Sequence, residues 1–344
     1  MEQFDTTWMS LTYNCNNKCK WCYAASNFQE NKLKEFDSGK EQRVINLLSD
    51  LGVKKVILIG GEPTLYRNLY GILEKIQDTK IVLGMVTNGK RLENVGFTKG
   101  LKKRGLDYIT FSIEGENQST HDSMTQIYGS YYETIRGIRN AMNEGINVAT
   151  NTVISSENIN KLEEIVHSLK NRGVKDISFN ICGTCISEES NNSYAINPRE
   201  ASNAFVKIYN KFNKEVNLKL ITPVPLCFFE EKIKKELIEH KIISGGPCQL
   251  VHGENFVIDY NGDIVPCTHL TGFPLFNLFN ENKIISKEEF IQLYTGGFAD
   301  NFRKTIGRYP SEKCDTCNES CSGGCPLFWL KFNPDKEIRG IKNA

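Results

Sequence analysis

Apolar residues recur with two periods along the first half of the chain. Short apolar runs read as strands: "TTWMSLTYN" (6–14), "KKVILIG" (54–60), "KIVLGMVT" (80–87), "LDYITFSI" (106–113), "INVATNTVI" (146–154) and "VKDISFNI" (174–181). Between them, residues 40–51, 66–77, 90–104, 131–144 and 158–172 space their apolar positions as amphipathic helices do. Four of these five segments end near a glycine that leads into the next strand: Gly52, Gly105, Gly145 and Gly173. Six strands alternating with helices predict βαβ units, an α/β fold and a parallel sheet.

The pattern then changes. Residues 198–243 are Lys/Glu-rich and read as helical. The stretch "NFVIDY" followed by "DIVPC" across an "NGD" turn reads as a β-hairpin. After another helical patch, "EKCDTCNESCSGGCP" (312–326) is rich in turn residues and poor in apolar ones. Such a segment cannot bury a core and requires a staple. The expected division is a core over 1–185, a helical connector over 186–244 and a cysteine-rich domain over 245–344.

Composition narrows the function classes. The chain has 344 residues, 40% hydrophobic and 24% charged, with a formal net charge of +1. Nothing in that balance favours nucleic acid or an anionic membrane. No signal peptide or run of about 18 apolar residues is present, so a cytoplasmic location is expected. Twelve cysteines then require a reason, since the cytosol keeps thiols reduced. Three lie at 15–22 and four at 314–325, and such clustering points to metal. The five histidines lack metal-like spacing with one another and read as surface or packing residues.

In a parallel α/β layout ligands bind at the carboxyl ends of the strands. Each unusual motif falls at such an end. "YNCNNKCKWCYA" carries Cys15, Cys19 and Cys22 after the first strand, with Trp21 before the last thiol. Gly60, Gly61, Glu62 and Pro63 follow the second strand; Thr87, Asn88 and Gly89 close the third. Ser112 to Gly115 close the fourth, and Cys182 to Cys185 follow the sixth. Three thiolates with no fourth ligand nearby suit a [4Fe–4S] cube with one iron left open, whereas structural zinc would close its fourth position. Glycines allow a backbone to approach a ligand, and a carboxylate near an ammonium gives a charge-assisted hydrogen bond. The bland alternatives are simple turns at GGEP and SIEG.

The C-x3-C-x2-C loop with its aromatic, followed by Gly-Gly-Glu after the next strand, resembles the radical S-adenosylmethionine (SAM) superfamily. The resemblance covers about residues 6–185 and implies a partial (β/α)6, TIM-like barrel. It implies that SAM chelates the open iron and is cleaved by an electron, and that the resulting 5′-deoxyadenosyl radical abstracts a hydrogen. It places Trp21 against adenine, Gly60, Gly61 and Glu62 at the methionine amino group, and Ser112 and Glu114 at the ribose; Asn88 joins this rim. Two positions depart from the pattern: Glu114 stands where Asp is usual, and Thr125 where Arg is common.

Cys248, then Gly262-x4-Cys267, then Cys314, Cys317, Cys321 and Cys325 resemble a SPASM domain, an auxiliary iron–sulfur extension. No cysteine follows residue 325, where the pattern supplies one more. With Cys227 the count is seven, against eight for two clusters. One or two auxiliary [4Fe–4S] clusters fit: with an open iron, a non-cysteine ligand, or a ligand lent by Cys182 or Cys185. A zinc ribbon is the alternative. Cys182 and Cys185 could return a hydrogen atom to a substrate radical, or simply fill core. Asp259 and His269 are candidate acid–base groups, beside Tyr260 and Asp263.

The resemblance implies an enzyme that modifies a ribosomal precursor peptide, by crosslink, thioether or epimerisation, fed by an electron donor such as flavodoxin or ferredoxin. The alternative is a small-molecule dehydrogenase or epimerase acting on an aminosugar or nucleoside-like substrate. A sulfatase-maturing role is disfavoured by Thr268, where an aspartate would follow the cysteine. A non-catalytic metal-stabilised scaffold would have no use for an open iron. Cys15 stands so near the start that no leader-binding module is expected ahead of the barrel.

Overall fold

The computed structural model describes residues 4–25, 34–183, 192–248, 251, 253–308 and 310–338. The six expected strands form: β1 (Thr6–Thr12), β2 (Lys55–Gly60), β3 (Val82–Thr87), β4 (Tyr108–Ser112), β5 (Asn147–Ile154) and β6 (Asp176–Ile181). They pair in parallel in chain order. The helices between them include α1 (Glu41–Asp50), α2 (Leu69–Gln77), α3 (Val95–Lys103), α4 (Gln118–Thr125), α5 (Ser130–Asn143) and α6 (Leu162–Lys170). They bury one face of the sheet beneath one large apolar core, and Ile59, Val257 and Val265 form a second, smaller cluster. Gly52, Gly105, Gly145 and Gly173 all take positive φ, between 67° and 85°, which ends each helix without a Cβ penalty.

The connector differs from the helical expectation. After α7 (Pro198–Phe212), residues Asn217–Leu220 form β7, a seventh parallel strand on the edge of β6, followed by α8 (Glu231–Glu239). The strand is four residues long and its side chains alternate exposed and buried. So short an alternation, set among lysines and glutamates, is read as helix when only composition is weighed.

At the opposite edge lies the expected hairpin, β8 (Phe256–Ile258) and β9 (Asp263–Val265), joined antiparallel. β8 pairs in parallel with β1, so the hairpin continues the barrel sheet. With β10 (Phe276–Asn277) the sheet has ten strands, in the order β10-β9-β8-β1-β2-β3-β4-β5-β6-β7. An aromatic cluster secures the junction. Phe4 meets Phe256, Phe290 and Tyr294 edge-on at 5.2–5.7 Å, and each of these rings is fully buried. Thr6 N–H donates to Asn255 Oδ1 at 3.0 Å, and Tyr294 Oη to the Asn255 carbonyl at 2.7 Å. Among the described residues no helix is long and apolar enough to cross a membrane.

Candidate functional site

The three-cysteine loop is held by the barrel rather than by itself. Lys18 N–H donates to the Thr125 carbonyl at 2.9 Å and Lys20 N–H to that of Met124 at 3.2 Å. This fastens the loop to the end of α4. On its other side Gly61 N–H bonds the Thr12 carbonyl at 2.7 Å and Glu62 N–H that of Asn14 at 2.9 Å. The glycines serve this seam. A Cβ on Gly60 would lie 2.2 Å from Thr12 O, and one on Gly61 2.7 Å from the carbonyls of Tyr13 and Asn14. Both glycines thus admit the backbone leaving β1 at close range.

Glu62 is buried and its carboxylate is well supplied with donors. Oε1 accepts from Thr64 N–H (3.0 Å), Thr64 Oγ1 (2.6 Å) and Thr87 Oγ1 (2.6 Å); Oε2 accepts from Asn88 N–H (2.8 Å). Burial raises its pKa against these hydrogen bonds. Its geometry ties the end of β2 to the end of β3. Asn88 carries the tie onward, donating from Nδ2 to Asn16 Oδ1 at 2.7 Å. Lys90, which no motif singles out, donates from Nζ to the Asn16 carbonyl at 3.0 Å and pairs with Glu133 at 3.3 Å. Its visible signal is only a lysine directly after the Thr-Asn-Gly turn.

The three thiols share one electrostatic neighbourhood. Cys15 is pushed up to about 12 by burial, by Glu62 and by Cys22, with Asn17 N–H and Lys90 pulling the other way. Cys19 is raised by burial, Cys22, Glu114 and Cys15. Thiols so placed stay protonated until a positive centre takes them as thiolates. A cubane offers each of three thiolates its own iron, whereas a structural tetrahedral zinc takes four ligands. The donor set fits a [4Fe–4S] cluster.

Beyond the thiols the rim offers unspent hydrogen-bonding capacity. Ser112, at the end of β4, is half-buried and its hydroxyl has no partner among the described residues. Glu114 is buried; its Oε2 accepts from Val153 N–H at 2.9 Å, its other oxygen has no partner among the described residues, and burial lifts it to about 8. Trp21 is half-buried in the thiol loop. Thr125 is buried and bonds the His121 carbonyl and Ser130, so its hydroxyl is engaged in the loop-bearing turn.

The candidate acid–base groups meet this loop from the hairpin. Asp259, buried at the end of β8, accepts from Tyr13 Oη at 2.7 Å, which joins the hairpin to β1. His269 lies with its ring 5.1 Å from that of Tyr23 and its Nδ1 3.8 Å from Cys267 Sγ; burial lowers it to about 4. Tyr23 donates to the Gly60 carbonyl at 3.3 Å and has Cys22, Asp259, Cys267 and Cys15 as its charge neighbours. The tyrosine after the third cysteine therefore links the two cysteine regions, a role no spacing rule announces. Cys182 is buried past β6, its N–H on the Ile154 carbonyl at 2.8 Å. Cys185 lies outside the described residues. No disulfide joins the eleven described cysteines, and Cys227, Cys248, Cys267, Cys314, Cys317, Cys321 and Cys325 all belong to the C-terminal lobe and its border with β7.

The radical SAM superfamily model matches residues 9–169, and the SPASM model, an iron-sulfur cluster-binding domain, matches residues 248–318. These two domains imply [4Fe–4S] clusters and SAM. A probable GTP 3',8-cyclase of Methanopyrus kandleri is 30% identical over 162 residues, 47% of this chain and 51% of that protein. The chain spans about half the length of the curated relatives it matches. Among solved structures, SuiB of Streptococcus suis bound to S-adenosylmethionine aligns with a TM-score of 0.70 and 16% identity, covering 97% of this chain and 76% of that one. SuiB is also known bound to its precursor peptide SuiA. Native anSMEcpe with bound AdoMet aligns with a TM-score of 0.71 and 17% identity, over 93% of this chain and 89% of that one. At these identities the likeness is one of fold.

Proposed function

Because the chain belongs to the radical SAM superfamily and carries a SPASM iron–sulfur domain, we propose that it abstracts a hydrogen atom from a ribosomal precursor peptide and so installs a crosslink, a thioether or an epimerised residue. The observation that carries this reading is the common sheet. The thiol loop leaves the end of β1, and the hairpin bearing Cys267 pairs with that same strand. Cys15, Cys19 and Cys22 would hold a [4Fe–4S] cluster, which would supply the reducing electron for cleavage of bound SAM. The chain's own residues position and shield it. Glu62, Thr87 and Asn88 fix the strand ends beside the thiols, and Gly60 to Glu62 face the methionine amino group. Trp21 covers the adenine. Ser112 and Glu114 meet the ribose with the capacity they have not spent. Lys90 stands near Cys15 as a cation for the SAM carboxylate, in place of the arginine that Thr125 replaces. The C-terminal cysteines would hold auxiliary clusters able to take up the electron that a crosslink or thioether releases, and a flavodoxin or ferredoxin would supply the electron for SAM cleavage.

Peptide as the substrate is supported by the structures whose likeness spans both halves of the chain, one of which holds a precursor peptide. The small-molecule alternative draws on the GTP 3',8-cyclase match, which covers 47% of this chain. Oxygen-free reconstitution tests the chemistry. With SAM and dithionite the protein should release 5′-deoxyadenosine, and a Cys15→Ala/Cys19→Ala/Cys22→Ala variant should release none. Zinc in that loop, or no nucleoside, would sink the proposal. A short peptide encoded beside the gene should then lose two hydrogens, or take up solvent deuterium without loss of mass if it is epimerised. Turnover of GTP or an aminosugar in its place would favour the alternative.

A further inference from the structure

The helix α4 is fastened near its start to the turn that bears Glu114 and at its far end to the thiol loop. His121, buried on this helix, makes the first attachment. Its Nδ1 accepts the Glu114 N–H at 3.1 Å, which leaves the ring proton on Nε2. Asn158, also buried, donates from Nδ2 to the Glu114 carbonyl at 3.2 Å, and Val153 N–H holds Oε2 at 2.9 Å. The backbone of Glu114 is thus gripped on both sides and one carboxyl oxygen is fixed, so the direction of the other oxygen is set. The packing is equally close. A Cβ on Gly115 would lie 2.5 Å from His121 N and 2.7 Å from Thr120 Cβ, so α4 rests directly on this turn.

Asp122 shapes the far end. Its Oδ2 accepts Gly129 N–H at 2.6 Å, and its Oδ1 accepts Ser130 Oγ at 2.8 Å and Tyr131 N–H at 2.9 Å. These bonds close the turn at Gln126, whose φ of 57° is left-handed and disfavoured for a residue with a Cβ. The two carbonyls just before that turn, of Met124 and Thr125, receive the N–H groups of Lys20 and Lys18, which flank Cys19. Asp122 therefore holds the end of α4 in the shape that carries the thiol loop.

We propose that α4 is a spacer between the thiols and the Glu114 carboxyl, in which His121 positions Glu114 toward the ribose hydroxyls of SAM and Asp122 positions the anchor of the thiol loop. This rests on the reading that SAM lies between the cluster and Glu114. A ligand held at two points binds well only when the holds already stand at its own span, so a rigid helix joining them pre-organises the site. Neither residue touches SAM in this assignment; each acts through the group it holds.

The test uses the full chain reconstituted without oxygen and kept without reductant, so that SAM stays whole. It is titrated with SAM and with the 2′,3′-dideoxy analogue of SAM, which lacks the hydroxyls that Glu114 would meet. Wild type should prefer SAM. His121→Leu removes the acceptor and should weaken SAM about tenfold while changing the analogue by less than about twofold. His121→Asn sets Oδ1 where Nδ1 now accepts and should restore most of the preference. Asp122→Ala should weaken both ligands by similar factors, because both depend on the cluster. Should His121→Leu fail to fold, His121→Gln keeps an amide in the same space but carries it past the Glu114 N–H, and should show the same selective loss. Equal weakening of both ligands at residue 121, or none, would overturn the role of His121. Loss of SAM alone in Asp122→Ala would overturn that of Asp122. A wild type that carries its cluster and binds both ligands equally would overturn the spacer and leave the radical chemistry standing, whereas one that binds neither would overturn the proposed function itself.

Discussion

Residues 15–22 and 314–325 are both short runs of cysteines among polar residues, but the chain secures them by different means. Around the first, backbone hydrogen bonds reach to α4 and to the β2 turn, and behind these lies the large apolar core. Within residues 311–325 the buried residues are Ser311, Cys314, Cys321, Gly323 and Gly324, with Leu327 and Phe328 buried just beyond. The first loop is placed by hydrogen bonds to that scaffold. The second has almost no apolar area of its own, and a segment of that kind gains its order from the ligand it binds. A site for reversible chemistry at an open iron belongs on the rigid scaffold, and a permanently ligated cluster can serve as its own staple.

Removing the metal breaks this comparison most directly. Oxidative chelation of all iron should raise amide exchange across residues 311–325 on the order of a hundredfold, as the local opening free energy falls by a few kcal/mol. Strands β2 to β5 should keep their protection. Equal loss in both regions would mean that the barrel, too, depends on its cluster.

A smaller effect is expected at the rim. Glu62→Gln puts an amide nitrogen where a carboxylate oxygen accepts hydrogen bonds, so at least one of Thr64, Thr87 or Asn88 loses its acceptor. A buried unsatisfied donor costs about 1–3 kcal/mol. Thermal unfolding of the metal-free protein should shift accordingly, and 5′-deoxyadenosine release should fall by about tenfold or more, since each ~1.4 kcal/mol of lost positioning is tenfold in rate. If release falls while stability stays constant, Glu62 acts on SAM directly and the tie between β2 and β3 is incidental.

The same contrast explains which features are legible in the residues alone. The barrel strands are legible because each couples an apolar run to a glycine turn, two signals set by short-range sterics. The cysteine motifs are legible because the chemistry needs that residue type at that spacing. β7 is not, since Asn217–Leu220 offers only two buried side chains, Leu218 and Leu220, in a run of charges. Nor are Tyr13, Tyr23 and Lys90, whose roles depend on partners far away in sequence, such as Asp259 for Tyr13, 246 residues on. Glu62 is marked by its motif, yet its local partners at Thr64 and Thr87 come only with the turn geometry.

The finest test concerns one carboxyl on the rigid side. Glu114 is raised from 4.5 to about 8 by burial, only partly offset by Val153 N–H. The folded state therefore holds its proton more tightly than the unfolded state does. Stability from this group is intact below about pH 4.5 and declines as pH rises toward 8, by at most about 1.4 kcal/mol per pH unit. His121 and His269, lowered from 6.5 to about 4, add an opposite-signed dependence below about pH 6.5 that wild type and variant share, while Cys15 near 12 and Cys267 and Cys314 near 11 keep their protons throughout. Glu62 and Asp259 are also raised and contribute with the same sign. The difference between wild type and Glu114→Gln isolates Glu114, because glutamine retains an acceptor for Val153. The metal-free wild type should lose melting temperature between about pH 5 and 8 more steeply than the variant, and the curves should converge near pH 5. Parallel curves would place Glu114 in water, and with it the rim side of the comparison would lose its rigid, dry character.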